Sequence, residues 1–167
     1  MGGGGDWEGG RGRGTSAGTY TNPLLLFALV VLSRFGELFN DMNVEIVICG
    51  KVRDGDKRSV KIQEGDAEGR KIVIVDDLVQ TGGTLYECGK VLKEAGAESV
   101  NAFCAHGVFP NESWKRFNKG GDRECFDKFW VTNSIPTVTG DLPVKDGIFE
   151  VLDLTEAIVK DLDEYRT

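Results

Sequence analysis

Two adjacent acids followed by a Thr/Gly-rich segment are the part of this sequence best suited to chemistry. Asp76 and Asp77 directly follow the apolar, β-branched residues 72–75, which predict a buried strand. A Gly-rich turn at the start of a helix presents backbone N–H groups to a phosphate, and paired carboxylates hold hydroxyl groups directly or through Mg²⁺. We therefore predict a site for a phosphorylated sugar, with the two acids as ribose and metal ligands. The predicted phosphate cradle is Thr81, Gly82, Gly83 and Thr84.

The elements that must position this site alternate along the chain from about residue 33. Apolar runs predict strands at 45–49, 70–75, 100–105, 128–132 and 149–152, and a helix over 84–95 has an apolar stripe that ends before Gly96. Residues 50–57 are expected to be a charged loop, and the alternation over 59–62 predicts a short β-ribbon arm. Asn111 is expected to cap a short helix through Phe117. This order predicts an α/β fold, with a mostly parallel sheet and helices on both faces.

The last helix of the chain has a clear start signal. Asp153 and Glu156 form a capping box, which predicts a helix after residue 153. Its spacing of apolar side chains predicts a core-facing stripe. The members of that stripe are Leu154, Ala157, Ile158 and Leu162.

The first 32 residues differ from the rest. Residues 1–22 are Gly-rich and predict a disordered leader. The apolar run 24–32 is too short to span a bilayer, and Asp6 and Glu8 oppose a signal peptide. We expect a buried or adventitious helix there, with a signal or anchor as the alternative. The sequence thus divides into a leader, 1–32, and one domain, 33–167.

The composition excludes some classes of binding partner and of metal site. The net charge of −7 argues against nucleic acid, whose phosphates require clustered Lys and Arg. The four cysteines have no zinc-binding spacing, so we expect buried free thiols in a reducing compartment, and a cytoplasmic protein. The single histidine, His106, excludes a His-rich metal site and is expected to have a structural role. A metal here is then a hard cation, Mg²⁺, held by carboxylates and substrate phosphates.

Residues 72–84 resemble the phosphoribosyl-pyrophosphate (PRPP) motif of the phosphoribosyltransferase superfamily. That motif is an apolar strand, two acids, two loose positions and a Thr/Gly-rich loop ending in Thr. An ordinary strand-to-helix turn can carry two acids, but Asp-Asp followed by Thr-Gly-Gly-Thr at this spacing is uncommon. Further segments are similar to PRPP synthetases (ribose-phosphate diphosphokinases) of the plant-type, phosphate-independent branch, over about residues 33–165. These segments begin at Ile48, Phe103, Val131 and Val151.

The resemblance implies transfer of the β,γ-diphosphoryl group of ATP to the 1-hydroxyl of ribose 5-phosphate, with Mg²⁺. It implies that Lys51 and Arg53, in the segment Lys-Val-Arg, meet the negative charge of the transferred group. The resemblance also implies that Gln80 belongs to the loop that cradles the 5-phosphate, at a position where many synthetases have an acid. This change should soften the site rather than abolish it, because the backbone does most of the phosphate binding.

The resemblance also implies partners. The family has two tandem domains of related fold, and this chain resembles the second. We therefore expect the ATP contacts to come from a first domain or from a neighbouring subunit, in a homo-oligomer or with other synthetase subunits, and we expect no membrane partner. Two alternatives remain open: a transferase that consumes PRPP, and a non-catalytic subunit that regulates active synthetases.

Overall fold

The computed structural model describes residues 24–28, 45–54 and 57–165, and it describes side chains for 45–52 and 59–165. Strands and helices alternate along these residues. The strands are β1 Leu24–Ala28, β2 Ile46–Asp54, β3 Lys57–Glu64, β4 Lys71–Val79, β5 Ser99–Gly107, β6 Phe129–Thr132 and β7 Phe149–Leu152. The helices are α1 Gly83–Glu94, a 3-10 helix Pro110–Phe117, α2 Pro136–Thr139 and α3 Thr155–Glu164.

The seven strands form one sheet in the order β3-β2-β1-β4-β5-β6-β7. Every neighbouring pair is parallel except β2 and β3, which are antiparallel. The predicted α/β fold with a mostly parallel sheet and a β-ribbon arm is confirmed. Because parallel strands end at the same edge, the sheet brings the residues after β4 beside those after β5.

One face of the sheet is closed by α1 and the 3-10 helix. Leu85, Cys88 and Leu92 of α1 are buried in the same core as the β4 residues Ile72 and Ile74. An aromatic cluster continues this core under the site. Its members are Phe109, Phe117, Phe126, Phe129 and Phe149, with ring centroids 5.1–6.3 Å apart. Each such ring pair adds about 0.5–1.5 kcal/mol beyond the area that it buries.

The predicted charged loop at 50–57 is wrong, because the chain stays extended there. β2 runs through Asp54, and β3 begins at Lys57, so the ribbon is a long hairpin. Lys51 of β2 pairs with Val60 of β3, so these two side chains share one face of the ribbon, and Val52 is on the opposite face. The ribbon arm itself was predicted correctly, although it is longer than 59–62.

The helix predicted over the apolar run 24–32 is also wrong for the part that the structure describes. Residues Leu24–Ala28 form β1, which pairs in parallel with β2 on one side and β4 on the other. A short apolar run fits a strand or a helix by composition alone, and pairing with two apolar strands decides between them. These five residues therefore belong to the sheet rather than to a leader. The remaining expectations for residues 1–32 lie outside the described residues.

The terminal helix does not bury the predicted stripe in the described structure. α3 contains no buried residue, and Ile158 and Leu162 are 53% and 61% exposed. The helix begins at Thr155, and the Asp153 carboxylate accepts the Thr155 N–H at 2.8 Å. The start of α3 was thus predicted correctly within one residue. The spacing of its apolar residues, however, did not show which other element, if any, would cover them.

The cap predicted at Asn111 is wrong. Asn111 lies inside the 3-10 helix with a left-handed backbone (φ 53°), and Phe109 precedes the helix with φ 39° and no side-chain cap. Pro110 fixes the first helical position. Burial of Trp114 and Phe117 holds this segment in place instead of a capping hydrogen bond.

Candidate functional site

The acid pair lies within β4, near its carboxyl end. β4 continues to Val79, four residues beyond the predicted end of the strand, and Asp76 pairs in register with Cys104 of β5. Asp76 and Asp77 are both half-buried. The parallel neighbours therefore fix the backbone of both acids, which a loop would leave free to move.

The segment from Thr81 to α1 is a tight turn that only glycine fits at one position. Gly82 has φ 69°, a left-handed backbone that side chains strain. A Cβ at Gly82 would lie 2.3 Å from the Phe117 ring, so the turn sits directly on the aromatic cluster. The first turn of α1 carries no acid. Its dipole therefore acts on an anion without an opposing charge.

Gly83 has a different environment. The atoms nearest to a Cβ built there are the Arg123 guanidinium nitrogens, at 3.8 and 3.9 Å, and the Thr81 hydroxyl oxygen, at 4.0 Å. The space beside the Gly83 backbone is thus open, and it is bounded by groups that can donate hydrogen bonds to an anion.

These two glycines give a matched pair of variants. We expect Gly82→Ala to lower the melting temperature and to displace the turn, because the new methyl group meets Phe117 and the backbone is left-handed. Gly83→Ala should leave the melting temperature within about 2 °C, since no atom lies closer than 3.8 Å, yet weaken phosphate binding by about tenfold. Thermal unfolding and calorimetric titration with ribose 5-phosphate measure both effects. Equal phosphate affinity in Gly83→Ala and the parent would contradict the cradle.

Asp76 and Asp77 are neighbouring carboxyl groups that interact with each other. Burial, and then the charge of Asp77, raise the pKa of Asp76 to about 6, and the two side chains share a hydrogen bond. The backbone N–H groups of Asp77 and Leu78 donate to Asp76 and partly oppose this rise in pKa. Two carboxylates in this position repel each other at neutral pH, and a divalent cation would remove that repulsion.

Within the described residues, no group of three or more His, Cys, Asp or Glu could hold a metal ion. A cation at Asp76 and Asp77 must therefore take its remaining ligands from water or from a substrate. That donor set suits Mg²⁺, which keeps several waters and is commonly held by one or two carboxylates together with substrate phosphates.

A cavity of about 700 Å³ brings the predicted residues together. Lys51, exposed on β2, lines it together with the acid pair and the turn, although Lys51 is 25 positions before Asp76 in the sequence. Arg53 is in β2, two residues further on, but its side chain lies outside the described side chains, so its role stays a prediction. All the other predicted site residues line this cavity: Lys51, Asp76, Asp77, Gln80, Thr81, Gly82, Gly83 and Thr84.

Sequence reasoning missed Arg123. Its guanidinium donates to the Thr81 carbonyl oxygen at 2.6 Å, across 42 positions of the chain. The Arg123 backbone N–H donates to the Arg116 carbonyl oxygen at 2.8 Å, which ties this arginine to the end of the 3-10 helix. No pattern in the mixed-charge loop 118–124 pointed to the site, because only the folding of the aromatic cluster brings the two segments together.

We expect Arg123→Gln to weaken ribose 5-phosphate binding by about tenfold, because the variant loses a cation beside the phosphate turn. The dependence of this affinity on salt should also decrease. Arg116→Gln is the matched control: it removes the same charge, but Arg116 is on the surface, where its Nε donates to Asp122 at 2.9 Å. Equal losses in both variants would show a general charge effect and no specific role for Arg123.

His106 does not line the cavity among the described residues. Its Nδ1 lies 2.9 Å from the Ser134 Oγ, and Ser134 donates its hydroxyl proton to the Ala105 carbonyl oxygen at 2.8 Å. The imidazole Nδ1–H is then the donor to Ser134. This chain of hydrogen bonds joins the ends of β5 and β6 and favours the structural role that we expected for His106.

Comparison with known proteins agrees with this geometry. The family model described as "Phosphoribosyl transferase domain" matches residues 25–137. The chain is 51% identical over 119 residues to ribose-phosphate pyrophosphokinase 3, chloroplastic, of Arabidopsis thaliana, covering 70% of this chain and 29% of that protein. It is 48% identical over 128 residues to ribose-phosphate pyrophosphokinase 4 of Oryza sativa subsp. japonica, covering 75% of this chain and 38% of that protein.

A solved structure shares the fold. The phosphoribosylpyrophosphate synthetase from Mycobacterium smegmatis superposes with a TM-score of 0.64 at 19% identity, covering 86% of this chain and 44% of that chain. The chain thus spans about a third of the length of the curated relatives that it matches. Among the described residues, no helix is both long enough and apolar enough to cross a membrane.

Proposed function

Because this chain belongs to the phosphoribosyl transferase domain family, we propose that its cavity binds ribose 5-phosphate for synthesis of 5-phosphoribosyl 1-diphosphate. The observation that carries the proposal is the meeting of a lysine, a carboxyl pair and a phosphate turn in one cavity. The relatives named ribose-phosphate pyrophosphokinase support the choice of reaction. The proposed enzyme class is a diphosphokinase, a transferase that acts in nucleotide biosynthesis.

The proposal implies one orientation of the sugar phosphate in the cavity. The 5-phosphate lies at the turn of residues 80–84, where α1 presents its N-terminus and the Arg123 guanidinium holds the Thr81 carbonyl. The ribose hydroxyls then face Asp76 and Asp77 at the end of β4. A Mg²⁺ ion bound there would neutralise the carboxyl pair and orient the hydroxyls and the phosphates of the second substrate.

Lys51 is placed to meet the transferred group. In the proposed reaction the ribose 1-hydroxyl oxygen bonds to the β-phosphorus of ATP, the bond from that phosphorus to the α,β-bridging oxygen breaks, and AMP leaves. The hydroxyl proton is released in the same transfer. In the transition state negative charge is spread over the equatorial oxygens of the phosphoryl group that is attacked, and fixed cations stabilise it. The Lys51 ammonium, and Arg53 two positions further along β2, are the proposed counter-charges.

The second substrate requires contacts beyond this cavity. The chain matches only 29% and 38% of the length of two pyrophosphokinase relatives, so we propose that a longer chain or a partner subunit supplies the ATP site. The partner would be a second copy in a homo-oligomer or another synthetase subunit. A cytoplasmic location also stays a proposal, since one of these relatives is named chloroplastic.

Three assays test the proposal and its alternatives. Calorimetric titration of the chain with ribose 5-phosphate in the presence and absence of Mg²⁺ should show binding that the metal strengthens. AMP formation from ATP and ribose 5-phosphate then tests turnover, and release of pyrophosphate from PRPP with an added base tests the transferase alternative. Binding without AMP formation would favour a regulatory subunit or a missing ATP site. Absence of ribose 5-phosphate binding would refute the proposal.

A further inference from the structure

Gln63 of β3 is a polar cavity residue to which the proposed reaction assigns no role. It lines the cavity together with Gly50 and Lys51 of the neighbouring strand β2. The residue is exposed, and among the residues with described side chains no hydrogen bond engages its amide. The amide therefore offers two N–H donors and one carbonyl acceptor to a ligand in this cavity.

The amide of Gln63 lies directly against the backbone of Gly50. A Cβ built at Gly50 would be 2.2 Å from both Cδ and Nε2 of Gln63, and 2.5 Å from its Oε1. The three amide atoms thus occupy the space that a side chain at position 50 would take. Because position 50 is a glycine, the amide can reach the part of β2 that comes just before Lys51.

A bulge in β3 places Gln63 at this point. The pairing of β2 with β3 shifts between Ile48 and Cys49, since Ile48 pairs with Glu64 and Cys49 with Ile62. Gln63 is the extra residue between these two pairs, and a bulge re-aims the side chain of such a residue. Both of its neighbours in β3 remain paired with β2, so the ladder fixes the backbone on either side of Gln63.

The register of the sheet relates the height of this amide to that of the acid pair. Ile48 of β2 and Val75 of β4 both pair with Phe27 of β1. Gly50 and Asp77, two residues further along β2 and β4, are therefore at the same height on either side of β1. Two strand spacings, about 9.5 Å, separate the backbones of β2 and β4. A group attached to a sugar that is held by Asp77 thus extends across the cavity towards the amide.

From this arrangement we infer that the Gln63 amide binds the diphosphoryl group on the ribose 1-oxygen, beside Lys51. The amide NH2 donates hydrogen bonds to oxygens of that group, and Lys51 supplies the positive charge. Ribose 5-phosphate lacks the diphosphoryl group, so this contact favours 5-phosphoribosyl 1-diphosphate over the sugar phosphate. The inference deepens the proposed function and rests on it.

Calorimetric titration of the whole chain with ribose 5-phosphate and with PRPP, both with Mg²⁺, tests the contact without turnover. The ratio of the two Kd values is the preference for PRPP, and it measures what the diphosphoryl group adds to binding. Gln63→Ala should lower this preference about tenfold and leave the Kd of ribose 5-phosphate within about twofold. Gln63→Glu should lower it further, because a carboxylate repels the diphosphoryl group. An unchanged preference in either variant would overturn the inference.

Gln80→Ala is the matched control. It removes the same side chain from the same cavity, but at the phosphate turn. Ribose 5-phosphate and PRPP carry the same 5-phosphate, so any loss in this variant should be equal for the two ligands. Its preference for PRPP should therefore stay at the parent value. A fall in that preference equal to the fall in Gln63→Ala would show a general effect on the cavity and would overturn the specific role of Gln63.

A double-mutant cycle tests the place of the amide against Gly50. In Gly50→Ala the new methyl group displaces the flexible end of Gln63, so the preference for PRPP should fall as it does in Gln63→Ala. Added to Gln63→Ala, the Gly50→Ala change should have no further effect, because the amide is already absent. Losses that add in the double variant would show that position 50 acts independently of the amide, and would overturn its placement.

Magnesium pyrophosphate separates this inference from the proposed function. Gln63→Ala should bind this probe about tenfold more weakly than the parent chain, whether or not a sugar binds. Equal binding of pyrophosphate by the two chains would overturn the inference even where ribose 5-phosphate binds as proposed. A parent chain that binds pyrophosphate through Gln63 but binds no ribose 5-phosphate would refute the proposed function and keep the anion contact.

Discussion

Replacing Lys51 with alanine should remove turnover while ribose 5-phosphate still binds. Lys51 is exposed and lines the cavity from β2, whereas the acid pair and the phosphate turn belong to β4 and α1. In the proposed reaction its charge meets the transferred diphosphoryl group rather than the sugar phosphate, so its contact would be stronger in the transition state than in the bound state. We expect kcat to fall about 10²- to 10³-fold and the Kd of ribose 5-phosphate to change less than about twofold.

Lys61→Ala is the matched control for this variant. Lys61 is an exposed lysine in the adjacent strand β3, where it pairs with Gly50, and it does not line the cavity. The same loss of charge there should leave both kcat and Kd unchanged. AMP formation by each variant is measured under the conditions, with or without a partner subunit, in which the wild-type chain is active. A Lys51→Ala protein with normal kcat would remove this lysine from the proposed reaction.

Replacing Asp76 with asparagine should stabilise the free protein and weaken the Mg²⁺-dependent binding of ribose 5-phosphate. Burial and the charge of Asp77 raise the pKa of Asp76 from its ordinary 3.8 to about 6. The ionised carboxylate thus opposes folding, and this penalty is absent below about pH 4, grows between pH 4 and 6 and is complete above pH 6. At 1.36 kcal/mol per pKa unit the penalty is at most ~3 kcal/mol, and solvent screening of a half-buried group reduces it to about 1 kcal/mol.

Chemical unfolding of the metal-free protein measures the gain in stability that we expect for Asp76→Asn. Asp76→Asn should raise the free energy of unfolding at pH 7.5 and leave it unchanged at pH 4, where the wild-type carboxyl is already protonated. Asp141→Asn, at an exposed position outside the cavity, is the control for the change in net charge. A gain in stability at pH 4 equal to that at pH 7.5 would show that the carboxylate charge is not the cause.

The sequence was most informative about the part of the site that consecutive residues form. The apolar residues before Asp76, the acid pair and the Thr/Gly-rich turn are consecutive, and each signals its own backbone conformation, so strand, turn and helix were predicted correctly. The structure adds that the strand continues through both acids to Val79. Strand ends are hard to predict from composition, because hydrogen bonds to β5 extend β4 past its apolar run.

Features that depend on distant partners could not be predicted. Residues Leu24–Ala28 became a strand because β2 and β4 lie on either side, and neither neighbour is visible in the run itself. Arg123 reached Thr81 only because the aromatic cluster folds its loop against the turn. The core-facing stripe predicted for α3 is wrong in the described structure, where Leu162 is 61% exposed. The spacing of apolar residues shows that a helix has an apolar side, but it does not show which surface covers that side.

The contact between Gly82 and Phe117 has a thermodynamic consequence for ligand recognition. Phe117 is fully buried, so the turn that would receive a phosphate rests directly on the packed aromatic cluster. A flexible loop loses conformational entropy when a ligand orders it, and this loss subtracts from the affinity. Here the ordering is already complete when the protein folds. Affinity for the phosphate then depends on the stability of the hydrophobic interior, so a substitution that loosens the aromatic cluster should weaken phosphate binding although it touches no ligand.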